Sequence, residues 1–178
     1  MRLYHASKEE IRKPDVHFGR KNADFGQGFY LSPDMEFARR WSGEGFLINV
    51  YELELQGLRV RELRRNEEWF SYIFQNRRTR DTLEADVIIG PIANDTLYDT
   101  LGIISSGFLD PEDALELLMI GPAYTQVALK TPEAAACLTW LGAEKVQNPA
   151  KYREKLRQEE TAYQEELSRC LKRLTEEE

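Results

Sequence analysis

The sequence predicts an α+β fold, on three observations. Short β-forming runs recur along the chain. Segments with apolar residues at helical spacing fall between them. From Pro149 onward the composition turns to Glu, Lys, Arg and Gln, and Leu156, Tyr163, Leu167, Cys170 and Leu174 form the seam of one long amphipathic helix. At 178 residues, 42% of them hydrophobic, the chain is long enough to bury a real core. We expect a domain over residues 1–147 and a C-terminal helix over 148–178. That helix packs on the domain or forms a coiled-coil arm on another chain; the seam fits both.

The elements follow in order. Arg2-Leu3-Tyr4-His5-Ala6 is a first strand. Ser7 opens a helical turn as its cap, with Glu10 behind it, and Pro14 stops it. Residues 14–28 carry Pro14, Gly19, Asn22, Gly26 and Gly28 and form a long loop, which in a compact domain is often functional. Tyr30 and Leu31 end a short strand, and a helix runs from Asp34 to Trp41. Alternation from Ile48 to Leu55 predicts a strand. Gly57 turns the chain, and Leu58 to Leu63 returns as a second strand. Asn66 to Arg77 is a helix with Trp69, Phe70, Ile73 and Phe74 on one face. Asp86 to Ile92 is a buried strand, and a helical stretch lies around Thr96 to Ile104. Asp110 caps a helix with Pro111 at its first position. Tyr124 to Lys130 is a strand. Thr131-Pro132-Glu133 opens a helix toward Trp140 that Gly142 ends, and Glu144 to Val146 adds an edge strand.

Composition narrows the function. With 24 Lys+Arg against 31 Asp+Glu, the formal charge of −7 argues against broad nonspecific nucleic-acid binding, which depends on neutralising phosphates. Arginines between Arg59 and Arg80 make the middle of the chain locally basic, most simply a solvated face. Cys137 and Cys170 are far apart, and with only His5 and His17 beside them no zinc cluster or redox pair is expected, and no metal. Met1-Arg2-Leu3-Tyr4-His5 has no apolar leader, and no long apolar run follows, so a cytoplasmic protein without membrane association is expected.

The stretch Asp24 to Ser32 concentrates the interest. Glycines bracket Gln27 and an aromatic pair follows. Glycine lets backbone approach a ligand closely or take positive φ. The plain reading is a loop feeding a core strand; in the functional one Gly26 and Gly28 make room for a ligand, and residues 17–22 form a wall or lid. Two glycines without a third, after a loop rather than a strand, do not make a dinucleotide-binding Rossmann fingerprint.

Three separated pieces carry a resemblance: Leu3-Tyr4-His5-Ala6-Ser7, Gly28-Phe29-Tyr30-Leu31-Ser32, and Tyr124 through Leu129. In order and spacing they resemble the H-Y-[E/x] branch of the ADP-ribosyltransferases, the branch of diphtheria toxin and the poly(ADP-ribose) polymerases. Together with Asp86-Val87-Ile88-Ile89-Gly90-Pro91-Ile92-Ala93-Asn94-Asp95, they are more closely similar to small bacterial ADP-ribosyltransferase-like proteins. The resemblance covers roughly residues 2–145 and leaves out the C-terminal helix. It implies a split mixed β-sheet core with flanking helices, and NAD as substrate. It implies that His5 hydrogen-bonds the adenosine ribose, that the backbone of Ala6, beside Ser7, holds the nicotinamide carboxamide, and that Tyr30 and Trp41 close on the nicotinamide ring. Gln126 stands where the branch has a Glu on the nicotinamide-ribose 2′-OH. Gly28 and Ser32 flank the same site.

Departures shape the expected activity. Ala6 stands for the usual Gly. Ala38 stands where the polymerases carry a Ser that bonds the carboxamide, a contact that Ser32 or Ser42 would have to replace. Gln126 accepts a hydrogen bond but carries no negative charge, which disfavours chain elongation. The implied activity is mono-ADP-ribosyl transfer to a macromolecular acceptor, protein slightly ahead of nucleic acid, in a toxin or phage-defence setting, with an antitoxin or partner on the C-terminal helix. NAD glycohydrolysis, or an NAD-binding or protein-interaction module without turnover, is the alternative. Arg77 is a candidate for the pyrophosphate, or a helix-end cation favoured by the dipole. Asn94 and Asp95 are candidates for the acceptor side, with Asp95 as general base, or a simple cap or turn. His5 alone reads as a half-buried histidine satisfied by a backbone carbonyl, Tyr30 and Trp41 as core, and Gln126 as a surface strand residue.

Overall fold

A computed structural model describes residues 1–79, 81, 83–94 and 109–176. The expected helix around Thr96 to Ile104, and Asp95, lie outside the described residues. The protein is mixed α+β. A three-stranded antiparallel sheet has the order β1 (Arg2–Ser7), β3 (Leu47–Leu53), β7 (Leu138–Lys145). A four-stranded mixed sheet has the order β2 (Phe29–Leu31), β6 (Thr125–Leu129), β5 (Val87–Pro91), β4 (Val60–Glu62).

The four-stranded sheet is buried on both faces. Along β5 and β6, Val87, Val127 and Leu129 join Leu3, Phe29, Leu31, Tyr51 and Leu53 in the core between the sheets. Ile88 and Ala128 point the other way, into a second core with Trp69, Phe70, Ile73, Leu117 and Leu118. Strict side-chain alternation on a sheet covered on both sides explains the unbroken Val87-Ile88-Ile89 run. Each such buried aliphatic contributes roughly 1.5–3 kcal/mol.

Helices close the outer core, and their ends are written in the sequence. Asp34 accepts from the Phe37 N–H to cap α1 (Met35–Arg40), and Asn66 accepts from the Trp69 N–H to cap α2 (Glu67–Arg78). Asp110 caps α3 (Pro111–Leu118) with Pro111 at its first turn, and Thr131 caps α4 (Pro132–Ala136). The last helix, α5 (Pro149–Glu176), lays its seam on this chain's own body. Tyr163 and Leu167 are each 2% exposed within the α2–α3 core, so the seam is used inside the chain.

Two expectations are corrected, and a third gains its partner. Ser7 and Glu10 nucleate no helix; the Ser7 hydroxyl accepts from the Glu9 N–H in a bend at the end of β1. The strand expected after Gly57 is present as β4, and it pairs in parallel with β5, with Val60 opposite Val87. The helix toward Trp140 stops at Cys137. Leu138–Lys145 is a strand that pairs with β3 from Leu53↔Leu138 to Leu47↔Lys145, with a bulge opposite Val50/Tyr51. Three alanines favour helix locally, but an open edge of β3 offers a full ladder, and tertiary pairing overrides propensity.

Candidate functional site

The two sheets part company at one residue. β2 pairs with β6 through Leu31↔Val127; then Ser32 leaves β6 and bonds β1, with Tyr4 N–H to Ser32 O at 2.8 Å and Ser32 N–H to Tyr4 O at 2.9 Å. Backbone groups alternate sides along a strand. Ala6 therefore turns its N–H and C=O to the same side as Tyr4, beyond that last bridge. On β6 the residue just past the β2 pairing is Gln126.

A cavity of about 540 Å³ opens at this divergence, bordered by Tyr4, His5 and Ala6 of β1, Tyr30 and Leu31 of β2 with Ser32 beyond it, Ala38 of α1 with Trp41 at its end, Arg77 of α2 and Gln126 of β6. The loop before β2 adds Arg20, Asn22, Ala23 and Asp24. The size suits a small-molecule site, for which roughly 300–1,000 Å³ is usual. A larger groove of about 770 Å³ is lined by Glu160, Thr161, Gln164 and neighbours on α5 alone. One polar helix face encloses nothing, so it is no rival.

His5 and Tyr30 are locked to each other and to the loop. His5 Nδ1 lies 2.7 Å from the Tyr30 carbonyl oxygen. Burial lowers the His5 pKa, with the carbonyl bond opposing, so the ring is neutral at pH 7. The Tyr30 hydroxyl donates to Gly26 O (2.7 Å) and accepts from the Phe25 N–H (3.0 Å). Burial pushes its pKa far up, so it stays a phenol. Phe25 covers Tyr30 with near-parallel rings, centroids 6.5 Å apart, and Tyr72 backs Phe25. Trp41 caps α1 at 47% exposure, edge-on to Phe37, at the cavity rim. An aromatic floor and an aromatic rim thus border one space.

The loop before β2 is pinned. Gln27 Nε2 donates to the carbonyls of His17 (2.6 Å) and Gly19 (3.1 Å). Lys130 Nζ donates to the carbonyls of Phe25 and Gln27 and pairs with Asp81 at 3.0 Å. These contacts change the expected glycine roles. Gly26 sits at φ 73°, where Asp81 and Lys130 fill the space a Cβ would need. A Cβ on Gly28 would lie 2.6 Å from the Leu129 carbonyl oxygen. Gly28 serves close backbone packing on β6, Gly26 makes room for the Asp81 and Lys130 side chains, and neither glycine borders the cavity.

Asp24 heads this stretch, and its sequence context alone assigns it no role. Its side chain is 5% exposed. Oδ1 accepts from Arg77 Nε (3.2 Å) and Nη2 (2.8 Å). Oδ2 accepts from the Ala93 N–H (3.1 Å) and lies 3.5 Å from Gln126 Nε2. Gln126 itself is 9% exposed. Arg77 borders the cavity, and its guanidinium is bound to Asp24. The cation at the rim is Arg20, whose guanidinium makes no hydrogen bond or ion pair among the described residues.

Other expected residues fall elsewhere. Ser7 lies at the end of β1 and does not border the cavity. Ser32 borders it, but its hydroxyl donates to Asp34 O (3.0 Å) and accepts from Asp34 N–H (3.0 Å). The Ser42 hydroxyl donates to Arg39 O (2.5 Å). Neither hydroxyl replaces the one absent at Ala38. Asn94 is fully buried and donates through Nδ2 to Ile120 O (2.7 Å) and Pro122 O (2.9 Å), so it ties down the chain after α3 instead of facing an acceptor. Among the described residues, no group of three or more His, Cys, Asp or Glu gathers to hold a metal, and no helix is long and apolar enough to cross a membrane.

Fold and site together define an α+β protein with a ligand-sized cavity where two small sheets diverge. The chain belongs to the family described as Protein of unknown function (DUF3990), whose profile matches residues 1–140. Every cavity residue lies within that match, and α5 lies beyond it. Searches of the curated proteins and of the solved structures found no match.

Proposed function

We propose that this protein is a cytoplasmic mono-ADP-ribosyltransferase with the split-sheet ADP-ribosyltransferase fold, using NAD⁺ as substrate. The observation that carries this reading is the convergence of His5, Ala6, Tyr30, Trp41 and Gln126 on one cavity. These are the residues the sequence resemblance singles out, and they come from four separate elements.

The chemistry fits that set. The bond between the nicotinamide nitrogen and ribose C1′ breaks, and its electron pair returns to the nitrogen, neutralising the pyridinium. The ribosyl cation left behind is captured by an acceptor oxygen or nitrogen, which loses its proton to solvent. No covalent enzyme nucleophile is required; the protein must hold the two halves and favour the positive charge. The Ala6 N–H and C=O point past the last β1–β2 bridge, as a carboxamide needs. Tyr30 offers a ring that cannot swing, because its hydroxyl is bound at both donor and acceptor. Neutral His5, protonated on Nδ1, presents Nε2 as an acceptor for a ribose hydroxyl. Arg20, with no carboxylate partner among the described residues, is the better cation for the diphosphate than Arg77.

A second reading is an NAD⁺-binding module without turnover. It draws on the amide at Gln126, and on Ala38, Ser32 and Ser42 supplying no free hydroxyl. One experiment separates the two. Purified protein is incubated with adenine-labelled NAD⁺, with and without lysate, beside a His5→Ala/Tyr30→Ala control. Release of nicotinamide with label on a macromolecule supports transfer, and release without label means hydrolysis. Binding without release leaves the module. Neither binding nor release sinks the NAD⁺ reading altogether.

A further inference from the structure

We propose that Asp24 is a positioning residue that acts through Gln126: it fixes which end of the Gln126 amide faces the cavity and polarises the oxygen left there. This rests on the ADP-ribosyl transfer reading and deepens it. The Asp24 side chain is held from two elements, by the bidentate Arg77 of α2 and by the Ala93 N–H just past β5, and Asn76 Nδ2 adds a bond to the Asp24 carbonyl (3.0 Å). Oδ2 then stands 3.5 Å from the Gln126 amide nitrogen. A carboxylate paired with Arg77 only accepts, so the amide must turn its NH₂ toward Asp24. Oε1 is thereby left on the opposite side, and it makes no hydrogen bond among the described residues.

The consequence is a site that accepts a hydrogen bond from a hydroxyl without a carboxylate at position 126. Charge sits one side chain further back. A donor amide bonded to a carboxylate gains electron density on its oxygen, because hydrogen bonds in series polarise one another. Arg77 offsets the Asp24 charge from the far side, on Oδ1, while Gln126 meets Oδ2. A purely structural Asp24 would serve only to hold Arg77 and Ala93.

Nicotinamide release by the full chain is measured for wild type, Asp24→Asn, Gln126→Glu and the double variant. Asp24→Asn removes the charge that orients the amide, so kcat falls about tenfold or more while KM stays within about threefold. Gln126→Glu places two carboxylates side by side, so one stays protonated and release gains a pH dependence the wild type lacks. Combining the two separates the charges again and restores release to the wild-type level or above. Wild-type kcat in Asp24→Asn, or a Gln126→Glu variant as active as the double, overturns the proposal. If wild type releases no nicotinamide, the transfer reading fails, and the pair is judged without ligand by carboxyl carbon NMR of Gln126→Glu, which keeps the Asp24–Arg77 pair. Coupled titration with one carboxyl raised supports the arrangement; two independent ordinary titrations overturn it.

Discussion

His5 Nδ1 lies 2.7 Å from the carbonyl oxygen of Tyr30. A carbonyl only accepts, so the ring keeps its proton on Nδ1 and a lone pair on Nε2. This contact, the Tyr4–Ser32 bridge and the Tyr30 hydroxyl bonds fix the cavity floor before any ligand arrives.

The same contact predicts a pH effect. Burial holds the folded His5 pKa below its ordinary value of 6.5. Between the folded value and 6.5 the unfolded chain binds more protons, so His5 stabilises fully above about pH 6.5 and loses that contribution as pH falls through the folded value. In urea denaturation from pH 7.5 to 5, wild type should lose stability more steeply than His5→Gln. Parallel curves would show that His5 is not held neutral.

Tyr30→Phe should keep the ring and lose the tether. The Phe25 N–H and the Gly26 carbonyl would each lose a partner, at a cost of about 1–3 kcal/mol in unfolding free energy. NAD⁺ affinity should weaken less than in Tyr30→Ala, which removes the stacking face. A Tyr30→Phe variant as stable as wild type would mean that the hydroxyl bonds hold nothing in place.

Helix α5 is predicted to be part of the folding unit, although it lies outside the family match. Cutting after Gln147 uncovers the core around Leu117, Leu118 and Ile120 and removes Tyr163 and Leu167 from it. At about 1.5–3 kcal/mol for each full burial, with Leu156, Leu171 and Leu174 lost as well, the deficit is comparable to a typical total stability of about 5–15 kcal/mol. Glu159 also bonds Arg40 (2.5 Å) and the Tyr124 hydroxyl (2.6 Å), tying α5 to the helix that carries Trp41. Truncated protein should show no cooperative unfolding transition in circular dichroism. A cooperative transition near that of the full chain would make α5 an appendage.

Much of this was legible in the residues, for local reasons. Caps at Asp34, Asn66, Asp110 and Thr131 announce their helices because a short polar side chain satisfies its own helix's N–H groups. The unbroken apolar run of β5 announces a strand buried on both faces. Sheet partners were not legible: β4 joins β5 and β7 joins β3 through contacts distant in sequence. Candidate-site residues in tight motifs, His5 and Tyr30, were found at the cavity. Asp24 was missed because its meaning lies in Arg77, Ala93 and Gln126, and no spacing rule links those positions. Asp86 shows the converse. It opens a motif noted for its resemblance, yet its carboxylate accepts from the Arg59 N–H and guanidinium and from Thr131, which holds its pKa down to about 2 and ties β4 to α4. Its role is architectural.

The central claim is that the cavity between the sheets takes NAD⁺ on Tyr30 and His5. Titration calorimetry of NAD⁺ into the full chain, beside the His5→Ala/Tyr30→Ala variant checked for folding by circular dichroism, tests it most directly. Saturable one-site binding to wild type and none to the folded variant is the predicted result. No binding to wild type, or equal binding to both, would contradict it.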